Sequence, residues 1–212
     1  MCDYIGMKHF RLIHIIAVIV AAALIGVGCS NENDNTLTSQ QTNIANYLKS
    51  SHQPRLIPES ELSSSLDEKP EYYVQWGLDL YRYIATMYEE GRDSKAEVAM
   101  GNTLSLRYSA YIFTNRTPAI DALYATNDET MIAQLESAGL NTSYEWTTDP
   151  YVITLGTSEI VQGLETALVG CREGDTVEIY MTYEQAYGKD FIGMVPSKSA
   201  VVWYIDILSV TK

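Results

Sequence analysis

The stretch 104–113 constrains the fold more tightly than any other part of this chain. Its side chains alternate in character. Leu104, Leu106, Tyr108, Ala110 and Ile112 fall on one parity, and Ser105, Arg107, Ser109, Tyr111 and Phe113 on the other. Successive side chains of a strand point to opposite faces, so this period of two predicts a strand with one buried face. Residues 72–76 and 80–88, dense in aromatic and β-branched side chains, predict further strands. Turns are expected at Glu89-Glu90-Gly91 and at Gly101-Asn102.

The last third is also strongly patterned. Residues 151–155 read as a strand ended by Gly156. Apolar residues at Ile160, Val161, Leu164, Ala167 and Leu168 have helical spacing, and Gly170 stands where a C-terminal cap is expected. After a Gly174-Asp175 turn, 176–182 reads as a strand with Val177, Ile179 and Met181 on one face. Residues 201–208 form a final strand, apolar on both faces except Asp206. This order predicts an α+β fold, a curved antiparallel sheet wrapped around one short helix. Residues 122–149 read as a helical insertion. Asn127 is expected to cap a helix over 128–138 ended by Gly139, with Met131, Ile132 and Leu135 as its apolar stripe.

The N-terminal third is different. Lys8, His9 and Arg11 precede an apolar run over 12–27, and Gly28-Cys29 follows. Residues 1–28 thus read as a secretory signal peptide. The run also approaches the length of a bilayer span, which leaves an uncleaved anchor as the alternative. Residues 29–71 are polar and read as a tether, with a short helix over 40–49 presenting Ile44, Tyr47 and Leu48 on one face. The folded domain is expected over 72–212. A net charge of −13 without any basic run argues against nucleic-acid binding. Outside the signal the only histidine is His52, in a polar stretch, so a histidine general base is not expected. A zinc site of His and Cys ligands lacks ligands, and neither a metal nor a cofactor is expected. Cys171 reads as an inert core thiol.

Two resemblances add to this reading. Cys29, after small residues at the end of the apolar run, resembles a lipobox, although Gly26 stands where Leu is usual. The stretch Ser30-Asn31-Glu32-Asn33-Asp34 resembles the acidic tether of Bacteroidetes-type surface lipoproteins. This implies lipidation at Cys29 and a lipid-anchored domain in the cell envelope, expected at the outer membrane. Further on, Gly163-x-Glu165-x-x-Leu168-x-Gly170-Cys171-x-x-Gly174-Asp175 resembles the helix and turn of FKBP-type peptidyl-prolyl isomerases. Ala186-Tyr187-Gly188, Val195-Pro196 and the strand from Val201 match later motifs of that family in order and spacing.

The FKBP resemblance implies a proline-binding pocket. Its catalytic residues would be Tyr187, the backbone N–H of Val161, and Asp121, read in Ile120-Asp121 as the family's acidic position. Its substrate-binding residues would be Tyr108, Tyr151, Ile160, Leu164, Val195 and Trp203. The floor residue is often Trp in the family and is Leu164 here. The implied activity is isomerisation of X–Pro bonds in exported polypeptides. The alternative is a non-catalytic binding module or holdase chaperone in an envelope complex. An insertion over 122–149 that filled the pocket would favour that alternative.

Overall fold

The computed structural model describes residues 28–212, with side chains from 35 onward. The expected signal segment falls outside the described residues except for Gly28, as does the side chain of Cys29. Residues Gln40–Lys212 form one compact unit. Helix α1 runs over Gly28–Ser50, longer than the helix expected over 40–49. None of the described helices is long and apolar enough to cross a membrane.

The strands are β1 (Ile57–Pro58), β2 (Tyr72–Trp76), β3 (Leu80–Ile84), β4 (Thr103–Ile112), β5 (Leu123–Thr126), β6 (Tyr151–Thr154), β7 (Thr176–Met181) and β8 (Val201–Thr211). Helix α2 spans Glu129–Ser137 and α3 spans Gln162–Leu168. One sheet takes the order β1-β2-β3-β7-β8-β4-β5, with β6 also on β4. Every pairing is antiparallel except the two-residue contact of β1 with β2. The α+β arrangement of a sheet around a short helix is therefore as expected.

Strand β4 pairs with β8 from Thr103↔Thr211 to Ile112↔Val201, with a register shift between Ser105 and Leu106. Its other edge is shared. β6 covers residues 103–106 and β5 covers 109–111. Asn127 spans the break between them. Its side chain accepts from the Tyr108 N–H (2.7 Å) and donates to the carbonyls of Leu106 and Asp149 (both 2.9 Å). The buried amide thus supplies the bonds that a continuous strand would make, and none of its polar atoms is left orphaned. The helix cap expected at Asn127 belongs instead to Asp128, whose carboxylate accepts from the N–H groups of Thr130 and Met131.

Both faces of the sheet are covered, where the alternation of β4 predicted one. The first core holds Leu104, Leu106 and Ala110 of β4 against Leu164, Ala167 and Leu168 of α3. Cys171 is buried in it, and burial pushes its thiol up to about 11, so it stays protonated. The second core holds Tyr111 and Phe113 against Ile44, Tyr47 and Leu48 of α1, and Leu135 of α2. Ser105 and Arg107 lie nearer the other end of β4, and Arg107 is exposed. The opposite parity is therefore polar at one end of the strand and aromatic at the other. The three residues expected on one face of the first helix do share a buried face. The stretch 40–58, expected as part of a tether, is packed into the compact unit.

His52 also belongs to this second face rather than to a polar linker. It is 2% exposed and touches the rings of Tyr47, Tyr83 and Tyr180. Nε2 lies 2.9 Å from a Glu178 carboxylate oxygen, and Nδ1 meets the Pro54 carbonyl. Both partners are acceptors, an arrangement that favours a proton on each ring nitrogen and so the imidazolium form. Burial alone would lower its pKa. The hydrogen bond and charge of Glu178, with the Pro54 carbonyl, outweigh this and leave it above 6.5. A histidine whose folded pKa exceeds its unfolded one stabilises fully below the unfolded value, and that gain is lost as pH rises through the folded one. Unfolding free energy measured by denaturant titration should therefore fall as pH rises above 6.5. In His52→Asn this component of the decline should disappear.

Candidate functional site: an aromatic cleft over the short helix

Helix α3 has only seven residues, and no side chain caps its N-terminus. The entering residue, Val161, is extended (φ −64°, ψ 138°). Tertiary contact holds the helix in place. Gly163, Leu164, Ala167 and Leu168 are buried. Gly163 is required by close approach rather than by an unusual φ. A Cβ there would meet Met181 Sδ at 2.7 Å and the Gln185 carbonyl at 2.8 Å. The Gly163 N–H donates to that same carbonyl at 3.0 Å. The first turn of α3 is thereby held against the loop that carries Tyr187.

That loop leaves β7 in tight turns. The Ala186 N–H donates to the Thr182 carbonyl, and the Gly188 N–H donates to the Tyr183 carbonyl at 2.7 Å. Gly188 has φ 63°, a conformation costly for a residue with a Cβ. Gln40 of α1 ties the loop at two points. Its Oε1 accepts from the Tyr183 N–H (2.9 Å), and its Nε2 donates to the Lys198 carbonyl (2.8 Å). The helix preceding the sheet thus holds both ends of the segment that forms one rim of the site.

The elements enclose a cleft of about 560 Å³ lined by Tyr151, Glu159, Ile160, Val161, Gln162, Leu164, Ala186, Tyr187, Asp190, Ile192 and Trp203. Trp203 comes from near the start of β8, between Ala110 of β4 and Ile179 of β7. Tyr108 stacks on it, with ring centroids 4.9 Å apart and an interplanar angle of 18°. Tyr108 also lies 5.4 Å from Tyr151. Tyr124 of β5 approaches from the same side. Its hydroxyl is 3.2 Å from that of Tyr187, and the rings meet edge to face.

Six of the expected residues line this cleft: Tyr151, Ile160, Val161, Leu164, Tyr187 and Trp203. Two lie behind it. Tyr108 supports Trp203 and Tyr151, and Val195 is buried, with its backbone paired to that of Ile192 at the rim. Asp121 is a correction. It sits exposed in a 3-10 turn over Ile120–Ala122 and is not among the lining residues. Strand β5 begins two residues later and brings Tyr124, not a carboxylate, towards the cleft. Its pairing with β4, Ala110↔Ala125 and Tyr111↔Leu123 with a register shift between them, could not be anticipated from spacing. The residues missed are Tyr124, Gln162 and Ala186, with Glu159, Asp190 and Ile192 at the rim. For Tyr124 the available signal was Leu-Tyr-Ala-Thr over 123–126, a short strand-like run.

Burial raises the pKa values of Tyr108, Tyr151 and Tyr187, and holds that of Tyr124 well above 10.0. All four phenols therefore keep their protons at neutral pH and remain hydrogen-bond donors. The carboxylates of Glu159 and Asp190 form no ion pair among the described residues. The cleft offers apolar walls, hydroxyl and N–H donors, and no pairing of a nucleophile with a base. That chemistry suits a conformational change in a bound chain better than a covalent step.

A family model described as FKBP-type peptidyl-prolyl cis-trans isomerase matches residues 129–208. The match spans α2, β6, α3, β7 and most of β8, and so contains every lining residue of the cleft. It does not reach Tyr108, Asp121 or Tyr124. No curated protein sequence matches the chain. Among solved structures, the N-terminal domain of FKBP42 from Arabidopsis thaliana is similar with a TM-score of 0.46 and 15% identity, covering 70% of this chain and 96% of that chain. The matched segment builds the helix, the loop and the central strand that shape the cleft.

Gly163→Ala tests the contact that joins α3 to the Tyr187 loop. One obstacle is a backbone carbonyl, which a side-chain rotation cannot remove. The variant should lose about 1–3 kcal/mol of unfolding free energy, as overpacked cores do. A denaturant midpoint equal to that of the parent would show that the loop yields freely.

Proposed function

We propose that the chain is a peptidyl-prolyl cis-trans isomerase acting on proline-containing exported polypeptides, and that Cys29 anchors it by lipid in the cell envelope. The observation that carries the first part is the open aromatic cleft within the segment matching the isomerase family. No residue of the 122–149 insertion lines it. Leu123 and Leu135 of that insertion go instead to the second core. The lipid anchor and the envelope location rest on the sequence alone, on the apolar run ending at Gly28-Cys29.

The chemistry needs no titrating catalyst. Rotation about a peptide bond costs about 18–20 kcal/mol because resonance gives the C–N bond double-bond character. The two X–Pro isomers differ by only about 0.5–1 kcal/mol, so the difficulty is one of rate. A catalyst must bind the twisted amide better than either planar form. Tyr151, Val161, Leu164 and Trp203 strip water from the amide, which disfavours its polar planar form. The Tyr187 hydroxyl and the Val161 N–H hold the substrate backbone on either side. A rate gain of about 10⁵ corresponds to roughly 7 kcal/mol.

A second reading, a binding module or holdase, draws on the missing carboxylate and on the rim. Phe191 is 68% exposed and Ile192 48%, next to the cleft mouth. Exposed apolar side chains in that place suit unfolded chains.

A proline-limited refolding assay separates the two. Acceleration at micromolar protein is expected, constant across neutral pH because the phenols stay protonated. Tyr187→Phe and Trp203→Ala should each lower it by about tenfold, equivalent to roughly 1.4 kcal/mol of transition-state stabilisation. Rates indistinguishable from the uncatalysed reaction, with suppressed aggregation of the client, would favour the holdase. The anchor is tested by metabolic labelling with a fatty acid in a bacterial host. The parent chain should take up label and Cys29→Ala should not. Equal labelling of both would overturn that part.

A further inference from the structure

The cleft lacks the expected carboxylate, yet the Tyr187 hydroxyl is not left without a polar neighbour. Tyr124 is 8% exposed, and among the described residues its hydroxyl interacts with Tyr187 and Trp203. Three groups meet there. Trp203 Nε1–H can only donate, is buried, and has no partner at full hydrogen-bond geometry among the described residues, so its interaction with Tyr124 is a looser one. The Tyr124 and Tyr187 hydroxyls can each donate once and accept. Their separation of 3.2 Å fits a single hydrogen bond, whose proton comes from one or the other.

The surroundings decide which. If Tyr187 donated to Tyr124, the Tyr124 proton would need another acceptor inside the core, and none is present among the described residues. If Tyr124 donates to Tyr187, its oxygen is left to accept from the donor-only indole of Trp203, which interacts with it, and the Tyr187 proton is left for the cleft. The acidity of the two phenols has the same sense. After burial, the contact with Tyr187 raises Tyr124, whereas the contact with Tyr124 lowers Tyr187 and that with Trp203 lowers Tyr124. These directions agree with donation from Tyr124 to Tyr187, the sense that the burial of Tyr124 and the donor-only indole beside it already favour.

We infer that Tyr124 is a positioning residue that commits the Tyr187 hydroxyl proton to the substrate. The inference rests on the isomerase reading of the cleft. The ligand group it selects is a carbonyl oxygen of the bound X–Pro segment, since the Tyr187 hydroxyl then faces the ligand as a donor. Tyr124 touches no substrate. It acts by fixing the direction of one hydrogen bond, which would otherwise rotate between protein and ligand.

The test uses the full chain and Tyr124→Phe, which keeps the ring and removes only the hydroxyl. Two readouts are taken. In the refolding assay, Tyr124→Phe should lower kcat/KM about fivefold, the equivalent of one neutral hydrogen bond. The double variant with Tyr187→Phe should be no slower than Tyr187→Phe alone. Independently, a carbon-13 NMR titration of the Tyr187 ring reports its acidity without any substrate. Loss of a donor should raise the Tyr187 pKa in Tyr124→Phe. A lowered value would show that Tyr187 had been donating to Tyr124, and would overturn the inference. Full activity of Tyr124→Phe beside a slow Tyr187→Phe would also overturn it, as would additive losses. Inactivity of the parent chain would instead overturn the isomerase reading and the substrate-facing half of the inference with it. The titration would still decide the direction of the hydroxyl pair.

Discussion

The pairing of β8 with β4 on one side and β7 on the other is the constraint from which the rest follows. It places Trp203 in the middle of the sheet, flanked by Ala110 and Ile179. Ala110 is the small residue on the cleft parity of β4, beside the large Tyr108 that stacks on the indole. A large side chain at 110 would compete for the volume that Tyr124 and the indole fill. The aromatic wall is therefore a consequence of strand register. A shift by one residue would send Trp203 and Tyr108 to the second core and bring Val202 and Tyr204 to the first.

The second core explains how so short a helix can serve as the platform of a binding site. Helices of seven residues have little stability of their own in water. Helix α3 is held by burial of Leu164, Ala167 and Leu168 and by the glycine contact at 163. The sheet beneath it is stiffened from behind by α1 and α2 through Ile44, Tyr47, Leu48 and Leu135. The Gln40 side chain extends that support round to the rim loop. A chain with an exposed second face would present Tyr73, Tyr81, Tyr111, Phe113 and Tyr180 to solvent, a large contiguous apolar surface. The N-terminal helix is thus better described as part of the domain's structure from Gln40 onward than as a spacer.

What could be read in advance depended on how local its cause was. The strand periodicity of 104–113, the apolar spacing of 160–168 and the Gly174-Asp175 turn are written in neighbouring residues, and the elements appear close to where they were expected. The motifs from Gly163 to Trp203 placed six residues in one cleft for the same reason: each sits on a regular element or a tight turn. Asp121 failed because its position depends on the path of an irregular connection between β4 and β5. No period or motif fixes the register of β5. The long helix α1 and the burial of His52 were missed for a related reason. The sequence from 28 to 40 carries too few apolar residues to predict a helix by pattern. The acceptors that raise the His52 pKa, Pro54 and Glu178, lie on different elements, and Glu178 is far away in sequence.

The replacement of an expected carboxylate by a phenol changes what the site can do. A carboxylate in a desolvated cleft would bring a charge that must be compensated and a pKa that shifts with the bound ligand. A phenol held protonated by burial brings neither. It can orient a neighbouring hydroxyl while leaving the cleft floor neutral, and the walls stay free to exclude water from the amide. The two carboxylates that do line the site, Glu159 and Asp190, are exposed at its margin. Charge therefore acts where water still screens it, on the approach of a chain. On the isomerase reading proposed above, the barrier-lowering contacts are left to uncharged groups in the interior. For a reaction whose transition state is a twisted, less polar amide, that division places each kind of interaction where it is most effective.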